Sequence, residues 1–291
     1  MCGGGDRVAE VPEVEIIVRD IRQAVVGRRI LEAEVLAPAA VRFPSPPDFI
    51  EELKGRRVTA AYRRAKFILL PLDDGMTLAI HFMLWGDLKL VPRGSERPPA
   101  TLVVFALEGD EELQLTDTLG YARVAVGRTS ELSARLKLEE LGPEALDEGF
   151  TPEVLARQLR RRKSPLKTVL LNQRVLAGLG NRDADESLWQ AGLDPRRLAS
   201  SLTAEEVARL HRGIRVVLEE GLSLRGSQRD LFGVQGQAKH RRNVFGRTGA
   251  PCPRCATPVS HLRIGGRNTH WCGTCQPEQG APEAPAQSSL L

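Results

Sequence analysis

No stretch of this 291-residue chain approaches the ~20 consecutive apolar residues that a membrane-spanning helix requires. Its first residues, Met1-Cys2-Gly3-Gly4-Gly5-Asp6-Arg7, hold neither a basic leader nor an apolar signal stretch, so a soluble cytosolic protein with no membrane partner is expected. Aromatic residues are scarce, at 4%, yet 42% of the chain is hydrophobic. That permits a sizeable core and excludes a wholly disordered chain. Internal repeats are absent, and the length suggests about two domains by the rough rule of ~150 residues each. Cysteine is rare as well: there are five.

Four of the five are Cys252, Cys255, Cys272 and Cys275: a C-x2-C pair, sixteen intervening residues, and a second C-x2-C, within zinc-ribbon spacing. Where no signal stretch directs secretion, metal is favoured over disulfides. One zinc ion held by four thiolates has no open position and is structural; a cluster of buried or redox thiols is the alternative. Between the pairs, residues 258–264 and 267–271 flank Gly265-Gly266, the pattern of a two-strand hairpin, with His261 and His270 on its surface. Charge is unevenly spread. Residues 1–150 hold 19 Lys/Arg and 25 Asp/Glu, whereas residues 151–276 hold 22 and 10. A basic half suggests a polyanionic partner.

Val14, Ile17, Val18, Ile21 and Val25 recur at helical spacing, so residues 9–30 predict an early helix with Pro12 in its first turn. From about 31 to 127 the pattern is strand-like, in runs 58–72, 76–82, 102–107 and 113–116, which predicts a β-sandwich or small barrel. Residues 128–150 read as a linker with a short helix, and 151–222 as helical throughout. There, Thr203 and Glu206 form a capping box. One helix is expected to end near Val175 and another to begin near Asn181, with Gly178 and Gly180 turning the chain between them. Free amides after such a turn can bind phosphate, helped by Lys167 and by Arg160-Arg161-Arg162-Lys163; an ordinary glycine-capped helical hairpin is the plainer alternative. Residues 223–248 look like a flexible basic loop, and the tail from Pro277 looks disordered.

The stretch Gly178-Leu179-Gly180-Asn181 followed by Ala184-Asp185-Glu186-Ser187-Leu188-Trp189 resembles the helix–two-turn–helix signature of the formamidopyrimidine-DNA glycosylase and endonuclease VIII family. The segment from Val244 to Gln276 resembles that family's zinc finger, and Arg63-Arg64-Ala65-Lys66 and Val11-Pro12-Glu13-Val14-Glu15 also match. The resemblance spans about residues 9–276. It implies an α+β fold: an N-terminal β-sandwich with flanking helices (9–135), a linker (136–150), a helix–two-turn–helix domain (151–240) and a β-hairpin zinc finger (241–276), framed by an extension (1–8) and a tail (277–291). It also implies a monomer that grips double-stranded DNA carrying a damaged base or abasic site, flips the base out, attacks the sugar with an N-terminal amine and cleaves the strand. By the same resemblance Glu10 is the general acid, and Lys66 serves a phosphate and the elimination steps. Arg267, Lys167 and Asn181 hold phosphates.

The departures lie at the chemistry. Ala9 stands where the family has its nucleophilic proline, and eight residues precede it, so its nitrogen is an amide. Leu84 stands for the family's wedge methionine, Leu119 for its arginine and Tyr121 for its phenylalanine. Leu119 cannot hydrogen-bond the orphaned base, whereas Tyr121 can still stack. Arg182-Asp183 are more polar than the family norm. Three readings of the N-terminus follow. Val8 is the true start, leaving Ala9 with a free amine; or the extension is real and the protein binds lesions without cutting; or Met removal exposes Cys2, whose aminothiol captures an abasic aldehyde. A zinc-ribbon nucleic-acid binder with no repair role is the alternative from another class of function.

Overall fold

A computed structural model describes residues 8–278; Cys2 and nearly all of the tail lie outside them. The chain runs α1 (Val11–Ala24), β1 (Ile30–Val35), β2 (Val41–Phe43), α2 (Pro46–Leu53), β3 (Tyr62–Arg64), β4 (Phe67–Pro71), β5 (Met76–His81), β6 (Asp87–Pro92), β7 (Thr101–Leu107), β8 (Glu111–Thr116) and β9 (Arg123–Arg128). It continues through α3 (Thr129–Leu136), α4 (Pro152–Leu159), α5 (Leu166–Leu170), α6 (Asn181–Ala191), α7 (Ala204–Ser223) and the hairpin β10 (Ser260–Ile264) and β11 (Arg267–Trp271).

Two sheets form a sandwich, one ordered β1-β7-β8-β6 and the other β2-β9-β5-β4-β3, antiparallel except for the β2–β9 pair. Val14, Ile17, Val18, Ile21 and Val25 bury one face of α1 in the core between these sheets, as their spacing predicts. Val11 packs instead into the core formed by α4 to α7. Thus α1 belongs to both units, and Pro12 lies so close to Gly221 of α7 that a Cβ there would come within 2.7 Å of the ring. Thr203 caps α7, with Glu206 returning to the Thr203 amide at 2.8 Å.

Several expectations need correction. The stretch 31–127 contains α2, announced by Ser45 as N-cap and by Pro46-Pro47 in its first turn. Strands β1, β2, β6 and β9 fall outside the four predicted runs. Residues 151–222 are helical only in pieces: α5 stops at Leu170, not near Val175, and ten residues of turn lead to α6. The segment 223–248 is no detached loop. Leu231 is buried in the sandwich core and its carbonyl accepts the Leu90 amide at 2.9 Å, while Arg225 joins Asp20 of α1 to Asp230.

Candidate active site

The start of α1 meets the start of α6. The Glu10 carboxylate, 1% exposed, accepts hydrogen bonds from the Arg182 and Asp183 amides, both at 2.9 Å. These are unsatisfied amides of a helix N-terminus, and a carboxylate there is favoured by hydrogen bonding and by the helix dipole. Gly180 is needed because a Cβ would lie 2.0 Å from Glu10 Cδ; at Gly178, which has φ +85°, it would lie 2.3 Å from Val11 Cγ2. The glycine turn therefore gives the Arg182 and Asp183 amides to an internal carboxylate rather than to phosphate. It lets the N-terminal helix approach α6 closely, and an internal carboxylate occupies the anion site.

Glu13, three residues on, accepts the Glu10 amide at 2.9 Å and the Arg182 guanidinium at 2.9 Å, and takes the Ser227 amide and hydroxyl at 2.8 Å each. The polar pair Arg182-Asp183 is thus internal: Arg182 Nε donates to Asp183 at 2.9 Å, and Arg182 Nη2 lies 3.9 Å from Glu10. Burial raises the Glu10 carboxyl, but the charges of Arg182 and Lys66 and the bonds from Asp183 outweigh it and bring the group below its ordinary value. Glu13 is held down at about 2, where burial opposes and Arg182 prevails. Asp183 moves the other way: burial, with repulsion from Glu10 and Glu13, overcomes Arg182 and raises it. Glu10 in the resting protein is therefore a carboxylate, and must take up a proton before it can act as the general acid that the resemblance implies.

The strand pairing brings the remaining candidates to one end of the sandwich. His81 pairs with Arg123 and with Phe67, and Asp87 pairs with Thr116. The β5–β6 crossover (82–86), the β8–β9 crossover (117–122) and the β3–β4 turn bearing Lys66 consequently lie side by side. Leu84, Leu119 and Tyr121 are exposed there, Tyr121 at 49%, as is Met83, which has φ +56°. Asp117, a residue the sequence reading passed over, shapes the second crossover by accepting the Leu119, Tyr121 and Ala122 amides at 2.8–2.9 Å. Its signal was present in Asp117-Thr-Leu-Gly120, an Asx turn closing on a glycine. Lys66 is half-buried, and its charge reaches both Glu10 and His81. Burial, then Lys66 and Arg42, lower His81 to about 4, so its ring is neutral at pH 7. Ala9 is 5% exposed and lines a cavity of about 380 Å³ with Glu13, Trp85, Asp87, Lys89 and Gln228.

Lys167 is the clearest correction. It is 0% exposed, and its ammonium donates to Asp185 Oδ1 at 2.5 Å and to the Asn181 carbonyl at 2.6 Å, so it faces the interior rather than a phosphate. Helix α6 is likewise no exposed reading head: from Arg182 to Trp189 every residue is buried. Asp185 also accepts the His270 amide at 2.9 Å, and its Oδ2 lies 3.2 Å from the His270 ring, which is buried rather than on the hairpin surface. Glu186 caps the amides of Asn243, Val244 and Phe245 at 2.8–3.0 Å. Asn181 Nδ2 donates to the Asn268 carbonyl at 2.9 Å, tying α6 to the strand whose first residue is Arg267. Arg267 and His261 are exposed.

The four thiols of Cys252, Cys255, Cys272 and Cys275 all lie within 4.8 Å of one another, with Sγ–Sγ separations of 3.4, 3.5 and 3.8 Å along three edges. A tetrahedron of zinc–sulfur bonds of about 2.3 Å has edges of about 3.8 Å, so the donor set fits one zinc ion. Trp189 Nε1 reaches Cys252 Sγ at 3.4 Å, and the Arg254 guanidinium lies 3.7 Å over the Trp189 ring. The zinc cluster is therefore packed directly on α6.

Comparison with known proteins agrees with this geometry. Residues 8–124 match the model of the formamidopyrimidine-DNA glycosylase N-terminal domain, 141–232 that family's H2TH domain, and 249–277 the zinc finger found in FPG and IleRS. A formamidopyrimidine-DNA glycosylase of Pelotomaculum thermopropionicum is 39% identical over 273 residues, covering 92% of this chain and 98% of that protein. Its counterpart in Moorella thermoacetica is 41% identical over 87% of this chain and 94% of that protein. The crystal structure of MutM (FPG) from Thermus thermophilus superposes with TM-score 0.84 at 37% identity, covering 94% of this chain and all of that one. Lactococcus lactis Fpg, solved with DNA containing an abasic site, superposes with TM-score 0.87 at 28% identity, covering 93% and 100%.

Proposed function

Because the chain belongs to the formamidopyrimidine-DNA glycosylase family, a family of base-excision repair DNA glycosylases with abasic-site lyase activity, we propose that it shares this reaction and that the Ala9–Glu10 end of α1 carries it once the Ala9 amine is free. The substrate is double-stranded DNA with a damaged base or an abasic site, met by a monomer in the bacterial cytosol. The observation that carries this reading is that Ala9 lines a cavity of about 380 Å³, room enough for a flipped base, while the next residue, Glu10, is held ionised within reach of the charge of Lys66.

With a free α-amine, whose pKa near 8 leaves a useful neutral fraction at pH 7, Ala9 attacks C1′ of the damaged nucleotide. The N–C1′ bond forms as the glycosidic bond breaks, and the base leaves with the electron pair. Glu10, already a carboxylate, accepts the proton released from the attacking nitrogen and returns it to O4′ as the C1′–O4′ bond breaks, which opens the sugar ring and leaves a C1′=N Schiff base. Loss of a C2′ proton from the resulting Schiff base then expels the 3′ phosphate. Lys66 neutralises phosphate during this elimination, Arg267 and Asn181 hold the flanking phosphates, and Leu84 and Tyr121 fill the gap left by the base. The zinc ion is structural and supports the hairpin that carries Arg267.

A second reading, lesion binding without cleavage, is favoured by one observation: Ala9 follows Val8 in the chain, so its nitrogen is a peptide nitrogen. Borohydride trapping on a duplex with one abasic site separates the two. A chain beginning at Ala9 should give a covalent adduct mapped by peptide mass spectrometry to the Ala9 nitrogen, while the full-length chain binds at the same salt without trapping. No adduct from either, alongside lesion-selective binding, establishes the second reading. An adduct on Cys2 or a lysine refutes the role of Ala9.

A further inference from the structure

The turn that presents Lys66 is held from a distance. Ala65, just before it, is buried and has φ +51°, the left-handed region that non-glycine residues avoid. Its amide donates to Glu144 Oε1 at 2.6 Å, and its carbonyl accepts Arg63 Nη1 at 2.8 Å. Glu144, 8% exposed, also receives Arg64 at 2.8 Å on Oε1 and Arg63 on Oε2. Residue 144 comes from the segment between the two units, and that segment is strapped to the turn before α6. The Gly142 amide donates to the Gln173 carbonyl at 2.8 Å, the Ala177 amide to the Pro143 carbonyl at 2.9 Å, and Glu144 and Ala177 form a parallel bridge. The turn at Gly178 follows at once, and a Cβ on Gly178 would meet the Ala65 carbonyl oxygen at 3.5 Å.

We propose that Glu144 is a positioning residue for Lys66: by accepting the Ala65 amide it holds the strained turn that aims the lysine into the cleft between the two units. A left-handed alanine persists only where its surroundings overdetermine it, and Glu144 with Arg63 supplies both of the backbone partners of Ala65. The arrangement makes the lysine's placement depend on how the helical unit sits against the sandwich, because Glu144 is anchored to the former and Ala65 belongs to the latter. The consequence for elimination chemistry rests on the role given to Lys66 above; the claim about its position does not.

His81 reports that position. It is faced by Lys66 from the β3–β4 turn, Arg42 from β2 and Arg123 from β9; Phe67 packs edge-on against its ring, and its Nδ1 accepts the Met83 amide. In Glu144→Gln the side chain has one acceptor oxygen instead of two, so either Ala65 with Arg64 or Arg63 loses its bond to residue 144, while Arg63 keeps Glu15 and Arg64 keeps the Leu141 and Gly142 carbonyls. Lys66 should then swing away and the His81 midpoint should rise from about 4. The test follows His81, one of five histidines, by nitrogen-15 NMR titration of the full-length protein, assigned with His81→Asn. Ala65→Gly, which adopts φ +51° without strain, should leave the midpoint unchanged alone and return it toward wild type in E144Q/A65G. A midpoint that stays put in folded E144Q, or a rise that Ala65→Gly does not reverse, overturns the proposal; the latter makes Glu144 merely a bond between the units. Should E144Q not fold, Glu144→Asp, with and without Ala65→Gly, carries the same test through its shorter reach. In a chain beginning at Ala9, E144Q should lower kcat for abasic-site cleavage by about 10- to 100-fold with KM little changed. Absence of cleavage in every variant, with the His81 pattern intact, would refute the catalytic reading and leave the positional one standing.

Discussion

Gly180→Ala offers the sharpest test of how α1 and α6 are joined. The added Cβ falls 2.0 Å from Glu10 Cδ and 2.4 Å from Oε1. Non-bonded carbon atoms settle near ~3.5 Å, so the carboxylate must retreat by about 1.5 Å. Its bonds to the Arg182 and Asp183 amides, now 2.9 Å, would stretch to about 4 Å, beyond hydrogen-bond range. Each is a charge-assisted bond worth ~1.5–3 kcal/mol, so the pair amounts to about 3–6 kcal/mol. For a chain of this size that corresponds to a fall in Tm on the order of 10 °C. Calorimetry on Gly180→Ala, Glu10→Ala and the double variant measures it. With Glu10 truncated nothing remains to collide, so the same alanine should cost less than about 1 kcal/mol in that background. An equal cost in both backgrounds, or a Tm loss under about 2 °C in the single variant, would refute the close approach as the reason for glycine here.

Lys167→Met should destabilise the fold by ~3–5 kcal/mol, since it leaves Asp185 buried without its cation, yet leave the salt dependence of DNA binding unchanged. Arg267→Ala should do the reverse, sparing stability and lowering the salt slope by about one; a slope change in folded Lys167→Met would restore that lysine to the phosphate contacts. Removing zinc by chelation should alter the fluorescence of Trp189, free the Asn268 strand from Asn181 and weaken duplex binding by ~10-fold or more. Unchanged affinity in the metal-free protein would show that the hairpin is dispensable. Glu13 sits at about 2 in the folded chain against an ordinary 4.5, so its stabilising effect is complete above about pH 4.5 and is lost as pH falls toward 2. Urea midpoints for Glu13→Gln should therefore lie below wild type at neutral pH and converge with it in acid; parallel curves would exclude this linkage.

Local pattern was enough for much of the molecule. The four cysteines and the Gly265-Gly266 turn specify the finger because ligand spacing and turn chemistry act over a few residues. The amphipathic stripe of α1, the Thr203–Glu206 box and the start of α6 at Asn181 are legible for the same reason. The short helix at 46–53 escaped notice under a strand-like background, although Ser45-Pro46 is a helix start.

What the sequence could not disclose is which polar groups face inward. Lys167, Arg182 and His270 look like solvated or DNA-facing side chains in one dimension; only packing puts Asp185 against Lys167 and His270, and Glu13 against Arg182. The Gly178–Gly180 turn carries no sign that its partner is Glu10, some 170 residues away. The glutamate's ionised state follows from that partnership, because burial alone would have raised its pKa. The chemistry-bearing residue types were thus written into the sequence, while their charge states and their assignment to cleft or interior arose from long-range contacts that local pattern does not encode.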